Sequence, residues 1–285
     1  MSLSSTDIKN ISASGLKILR SIESLMHRYS WVPEDSIRSF THMSATELTY
    51  QLGNLINMDL IRSNNVPYKG YSIVFKGFDV LATHSLANKK IISSLGSLVG
   101  VGKESEVYSA LGFGEIVLKF HKVGQRSFQT VRINREYLSD ELHCPWIFAS
   151  INSAKREYTA LCALNGHINV PVPIGRNRHT VVMSRINGIN LNKCQLIHPD
   201  EVFKEILNQI KVAYGLGYIH GDLSEYNIMF DESNVWIIDW PQYVSSDHPN
   251  ALQVLHHDIE TIISFFSRKY KYQYNIDEAI EFILN

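Results

Sequence analysis

The chain has 285 residues, 45% of them hydrophobic and 19% charged, a balance that excludes a disordered or fibrous protein and leaves room for two modest domains. With 27 Lys+Arg against 28 Asp+Glu the formal charge is -1, so net charge alone selects no class of partner. The three cysteines, Cys144, Cys162 and Cys194, are odd in number and lack metal-ligand spacing, and no apolar run nears the ~20 residues of a membrane span; reduced thiols in a soluble cytoplasmic protein with no membrane partner are expected.

In chain order, "SGLKILRSIESLMHRY" places Leu16, Leu19, Ile22 and Leu25/Met26 at helical spacing. Pro33 opens a second short helix, "PEDSIRSF", because its fixed φ suits a first helical turn. A third helix is read from Ser44 to Ile61, with Ser44 and Glu47 spaced as a capping box and Leu48, Leu52, Leu55 and Ile56 on one side. "LIRSNN" and "YSIVFKG" flank a turn at "PYKG" and read as paired strands. Three helices and a hairpin describe a winged helix-turn-helix, and "FDVLATHSLANKK" a fourth helix leading to a boundary at "SSLGS" near residue 93. The third helix contains no Lys or Arg, whereas Arg62, Lys69 and Lys76 lie beside it, and residues 1–95 carry 10 Lys+Arg against 7 Asp+Glu. No sequence-specific DNA reading is expected of such a helix. Backbone contact to a structured RNA, contact to a protein that carries one, or a packing role alone all remain open.

Beyond residue 93, "LVGVGKESEVYSALGFGEIVLKFHK" reads as three strands joined by turns, and "ASINSAKREYTALCALNG" as a helix stopped by Pro171 and Pro173. "TVVMSRI" is a short apolar strand, and "HPDEVFKEILNQIKVAYGLGYI" a long amphipathic helix opened by Pro199 and Asp200. Strands first and helices later predict an α+β unit with two lobes, about 93–184 and 185–285, behind an N-terminal domain of residues 1–92.

Several residues in this unit have the chemistry of phosphoryl transfer. Gly100, Gly102, Lys103 and Ser105 lie in "GVGKESEV", where small residues let backbone N–H groups approach phosphate oxygens. Glu104 follows Lys103, so this is not a Walker A loop; it fits the G-x-G-x-x-G-x-V pattern with Ser105 in the third Gly position and Val107 in place. Lys119 follows on an apolar strand and suits the phosphates if a carboxylate anchors it; Glu157, in "SAKREYTAL", is the best partner. In "HGDLSEYN" Asp222 can orient an acceptor hydroxyl and Asn227, five residues on, can hold a metal. Asp239, behind the strand "VWII", can bridge that metal to phosphate. Taken singly, each has a plain alternative: a turn between strands, a snorkelling lysine, a solvated glutamate, a helix-ending turn at Gly221 capped by Asp222. Their occurrence together in one order favours the catalytic reading.

In that combination the sequence resembles the protein-kinase superfamily, and within it the RIO atypical serine/threonine kinases, through "GKESEV", "VLKFHKVG", "HGDLSEYN" and "IDWPQ". The domain ahead of the kinase unit points to the second, winged-helix-bearing RIO subfamily, and the short C-terminal region looks like its compact archaeal form. The resemblance implies ATP with Mg2+ or Mn2+ as cofactors and Asp222 as the catalytic residue. It implies Asn227 and Asp239 at the metal, and Lys119 with Glu157 at the nucleotide phosphates under Ser105. "VMSRI" then looks like the interlobe hinge, with the backbones of Ser184 and Ile186 facing the adenine and Met183 behind. The family implies work on a pre-small-ribosomal-subunit particle, its rRNA and proteins, through the winged helix and the basic stretch 124–146. That stretch contains Arg126, Arg132 and Arg135, with Ser127 and Thr130 as candidate autophosphorylation sites.

The sequence departs from ordinary kinases at three points: Asp239-Trp240-Pro241 stands for Asp-Phe-Gly, His220-Gly221-Asp222 for His-Arg-Asp, and no Ala-Pro-Glu follows. Broad peptide-kinase activity is therefore in doubt. An ATPase cycle through Asp239, a small-molecule phosphotransferase of the aminoglycoside or choline kinase type, and a catalytically weak RNA- or protein-binding adaptor are the competing readings.

Overall fold

The opening serine-rich residues fold into a short helix. Ser4 and Asp7 form a reciprocal capping box for α1 (Ser5–Asn10), a helix that apolar periodicity does not announce. In this computed structural model residues 3–124 and 145–285 are described; Arg126, Ser127, Thr130, Arg132, Arg135 and Cys144 lie outside them. The described chain falls into two units, Met1–Ala154 with Arg176–Thr180, and Lys155–Gly175 with Val181–Asn285.

In the first unit α2 (Ala13–Leu25) buries Leu16, Ile18, Leu19 and Ile22, each side chain contributing about 1.5–3 kcal/mol when fully buried. It packs on α3 (Glu34–Thr41) and on α4 (Ala45–Asn57); Pro33 is the extended N-cap of α3 (ψ 143) rather than its first helical residue, since it pairs in a strand. Ser44 caps α4 through its bond from Glu47 N, but the Glu47 carboxylate accepts from Ser14 Oγ at 3.1 Å rather than closing a box. The helix stops at Asn57, short of Ile61, because Asp59 takes a left-handed turn (φ 56) and Leu60 N returns to Leu55 O. The strands β1 (Val32–Pro33), β2 (Ile61–Asn64) and β3 (Gly70–Ile73) form one antiparallel sheet in the order β1-β3-β2. Phe75–Gly77 is helical, not strand: Val74 O accepts from Gly77 and Phe78 N–H and opens α5 (Phe75–Asn88).

Next come β4 (Ser94–Val101), β5 (Ser105–Leu111) and β6 (Glu115–His121), an antiparallel meander. It is fastened to the helices before it by a buried charge cluster. Asp79 of α5 binds Lys122 Nζ at 3.0 Å and His179 Nε2 at 2.8 Å, and Lys122 also reaches Glu106 of β5 at 2.7 Å. Burial alone would push the Lys122 ammonium down, but the two carboxylates outweigh it and its pKa is raised. Arg178 adds a two-pronged bond to Glu23 of α2 at 2.6 and 2.7 Å.

The helix α6 (Pro145–Leu164) begins in the first unit and ends in the second, and the division also runs through the hairpin of β7 (Pro173–Asn177) and β8 (Thr180–Ser184). The second unit then builds β9 (Ile189–Asn190) and α7 (Pro199–Gly215), which Pro199 opens as expected. This helix ends earlier than its apolar pattern: Gly217 takes φ 91, and Tyr218–Ile219 becomes β10. A sheet of β9, β11 (Ile228–Phe230) and β12 (Val235–Ile237) follows, in the order β12-β11-β9. β13 (Val244–Ser245) pairs with β10, and α8 (Ala251–Tyr270) and α9 (Ile276–Leu284) close the chain, both packing on α7.

Candidate active site

Residues 220–227 form a loop between β10 and β11, so its conformation is not that of a helix end. Gly221 has φ +79, and a Cβ there would lie 2.6 Å from Gln242 O; only glycine fits the crossing. His220 is buried, with Nε2–H donating to Ile238 O at 3.0 Å and Nδ1 accepting from Asp222 N–H at 3.3 Å. Its ring lies 4.6 Å from that of Trp240, which is buried and donates through Nε1 to Ile237 O. The aromatic after Asp239 is thus a core residue holding the loop from below.

A second carboxylate fixes the loop, and reading the sequence missed it. Asp258, 2% exposed on α8, accepts Gly221 N–H at Oδ2 (2.8 Å) and Leu223 N–H at Oδ1 (3.0 Å). Burial raises its pKa against the lowering effect of these two N–H groups. The available signal was an aspartate centred on the buried stripe of Leu255, Ile259 and Ile262, since a carboxylate on an apolar face needs partners. With both flanks held, the Asp222 side chain is left exposed, and an acceptor hydroxyl can reach it.

Asn227 spends its Nδ2–H on Asp222 O at 2.8 Å, which leaves Oδ1 for a cation. Its backbone carbonyl accepts Ile238 N–H at 2.9 Å, so β12 delivers Asp239 beside it. Asp239 has φ 67, a conformation that costs a non-glycine residue about 1–3 kcal/mol and persists only where neighbours impose it. An amide oxygen and a carboxylate suit magnesium, which takes few protein ligands when phosphates complete its shell. Among the described residues no group of three or more His, Cys, Asp or Glu side chains could hold a metal alone.

Each of the remaining predicted residues can be placed within its own unit. In the first, β5–β6 register sets Lys119 opposite Val107 and Ser105 opposite His121. Lys119 is 7% exposed, which excludes a snorkelling surface lysine. Gly102 N–H donates to Ser105 O at 2.8 Å to close the turn carrying the exposed Lys103. A Cβ at Gly100 would meet nothing closer than 3.8 Å, so the chain's own packing does not require glycine there. The open space above it fits an approaching phosphate. In the second unit Glu157 is 1% exposed, which excludes a solvated helix residue. Met183 is buried and Ile186 half-buried. Ser184 N–H donates to Val172 O at 3.0 Å, and its Oγ accepts Val172 N–H at 2.9 Å.

Known proteins share this arrangement across most of their length. Residues 106–279 match the RIO domain family, and residues 8–89 match the Rio2 N-terminal family. The RIO-type serine/threonine-protein kinase Rio2 of Methanocaldococcus jannaschii is 36% identical over 272 residues, 90% of this chain and 99% of that protein. The serine/threonine-protein kinase rio2 of Schizosaccharomyces pombe is 30% identical over 273 residues, covering 93% and 79%. A crystal structure of the Rio2 kinase from Chaetomium thermophilum, a complex with ADP/Mg2+ and phosphoaspartate, matches with a TM-score of 0.85 at 28% identity, over 99% of this chain and 89% of that one. The first of these matches spans the loop, Asn227, Asp239 and the lysine strand, the second the helices ahead of them, and the chain belongs to the RIO family of kinases, in its Rio2 branch.

Proposed function

We propose that this chain is an ATP-dependent atypical serine/threonine protein kinase that works with Mg2+ and in which Asp222 orients the acceptor hydroxyl. The observation that carries it is the pinned loop. Two backbone N–H groups on Asp258 and the His220–Ile238 bond present Asp222 to solvent while Asn227 Oδ1 and Asp239 are brought to one edge. When bound, Mg2+ neutralises charge on the phosphates of ATP; Asn227 and Asp239 would hold it, and Lys119, Glu157 and the turn at Gly100–Ser105 would hold the phosphates. The family sets aside the small-molecule phosphotransferase, and the intact Lys119, Asp222, Asn227 and Asp239 oppose an inert adaptor. Incubation with γ-labelled ATP and Mg2+ tests it: a protein that neither takes up label nor releases phosphate would sink the reading.

A second reading is favoured by one finding, the phosphoaspartate of the Chaetomium kinase. Here Asp239 is the candidate acceptor. Its carboxylate would attack the γ-phosphorus, ADP would leave, and water would then split the acyl phosphate to restore the aspartate and release phosphate. Label removed by hydroxylamine would identify this route.

We further propose that the chain works on a maturing small ribosomal subunit in the cytoplasm, the role that the family resemblance implies. The N-terminal helices with the β1-β3-β2 sheet support a winged-helix reading, and the basic residues flanking α4 (Arg62, Lys69 and Lys76) support phosphate contact rather than base reading. Lys69 and Lys76 are ion-paired with Glu34 and Asp7, so Arg62 is the basic residue of the three to remove first. Arg62→Ala is expected to weaken co-sedimentation with small-subunit particles and to flatten its salt dependence; unchanged sedimentation would contradict contact through this face.

A further inference from the structure

Arg156 stands next to Glu157 on α6 and has no part in the roles proposed above. Its Nε donates to Pro241 O at 2.7 Å and an Nη2–H to Tyr243 O. The guanidinium carbon lies 4.4 Å from the centre of the Tyr243 ring, which packs in turn on Tyr218 at 4.9 Å. Both carbonyls belong to the four residues that follow Asp239. Upstream, Asp239 is held by the Ile238 N–H bond to Asn227 O, and buried Trp240 follows it directly. Downstream, the planar fork of one guanidinium grips two carbonyls of a single turn, which a lysine's compact charge cannot span. An aspartate at φ 67 relaxes toward ordinary backbone angles unless both sides are fixed.

We propose that Arg156 is a positioning residue for the metal. It holds the turn 241–243 so that Asp239 keeps the backbone conformation that aims its carboxylate at Mg2+. One helix would thereby carry a buried glutamate and, at the adjacent position, the clamp on the metal-side aspartate. This deepens the kinase reading and rests on it, because it takes Asp239 as a metal ligand.

The distinguishing readout is the dependence on Mg2+, which a residue that merely stabilises the fold would not move. Calorimetric affinity for a non-hydrolysable ATP analogue is measured without Mg2+ and across a Mg2+ series, for wild type, Arg156→Ala and Arg156→Lys, alongside thermal melts and turnover. Arg156→Ala is expected to raise the Mg2+ concentration needed for half-maximal binding and turnover about tenfold, the scale of one charge-assisted hydrogen bond. Arg156→Lys should fall between, while Mg2+-free binding stays at the wild-type value. Tm should move by a few degrees at most, since the residue is exposed. An unchanged Mg2+ requirement in Arg156→Ala overturns the proposal whatever Tm does, and so does an equal loss of Mg2+-free binding. Should Arg156→Ala fail to fold, Arg156→Lys decides by the same criterion. An active wild type with indifferent variants defeats this inference alone, whereas a wild type without Mg2+-dependent binding defeats the kinase reading with it.

Discussion

Asp222 on the loop and Asp258, which holds that loop from α8, are carboxylates with opposite surroundings, and substitution should separate them. Asp222 is exposed, so its removal is expected to abolish transfer while leaving stability nearly intact. Asp258 is buried and carries two N–H groups; Asp258→Ala is expected to cost about 3–5 kcal/mol, because it strands both donors. Asp258→Asn keeps one acceptor oxygen and should cost less, with turnover falling in step as the loop loosens. Urea titration beside initial-rate measurement checks this; a stable, inactive Asp258→Asn would contradict a role in holding the loop. Asp222, Asn227 and Asp239 were legible in the sequence because their spacing is local. Asp258 was not, since its partners lie 35 and 37 residues away and a lone aspartate in a helix gives no sign of what it meets. Arg156 escaped for the same reason: its bonds to residues 85 and 87 positions away depend on tertiary structure.

At the scale of elements, the alternating strands β4, β5 and β6 and their glycine turns were readable from period and punctuation. The ends of α4 and α7 were not. Apolar residues continue past both ends at compatible spacing, and the chain stops the helices with left-handed turns at Asp59 and Gly217. Glycine gives some warning of such a turn, aspartate much less. What joins α5 to the meander is the buried cluster of Asp79, Lys122, His179 and Glu106, again invisible without the fold. His179 is fully buried, and this burial pushes its pKa down, against the Asp79 hydrogen bond that favours the charged form. With the folded pKa below the unfolded one, near 6.5, the folded state gains nothing from the histidine's titration above that pH. As pH falls through about 6.5 the unfolded chain binds the proton first, so stability is lost, at no more than about 1.4 kcal/mol per pH unit. Urea midpoints between pH 7.5 and 5.5 should show this slope, and His179→Gln should flatten it; an identical slope in the variant would contradict the assignment. Lys122, whose pKa is raised, keeps its charge throughout this range.

For the molecule as a whole, the α+β class and the kinase-like unit behind an N-terminal domain were legible because several weak motifs occur in one order. None of them would have carried the reading alone. The structure adds how each half of the machinery is held. In the first unit a buried lysine sits on a meander tied to the N-terminal helices. In the second, a loop pinned by Asp258 and a turn gripped by Arg156 flank Asp239. The family supplies the expectation that these parts work on ATP. The measurement that bears most directly on it follows γ-labelled ATP and Mg2+ with wild-type protein beside Asp222→Ala and Asp239→Asn. Wild type is expected to gain acid-stable label on serine or threonine, Asp222→Ala to lose it while still binding Mg-ATP, and Asp239→Asn to lose both label and Mg2+-dependent binding. Acid-stable labelling that persists in Asp222→Ala at the wild-type rate would contradict the role given to this loop.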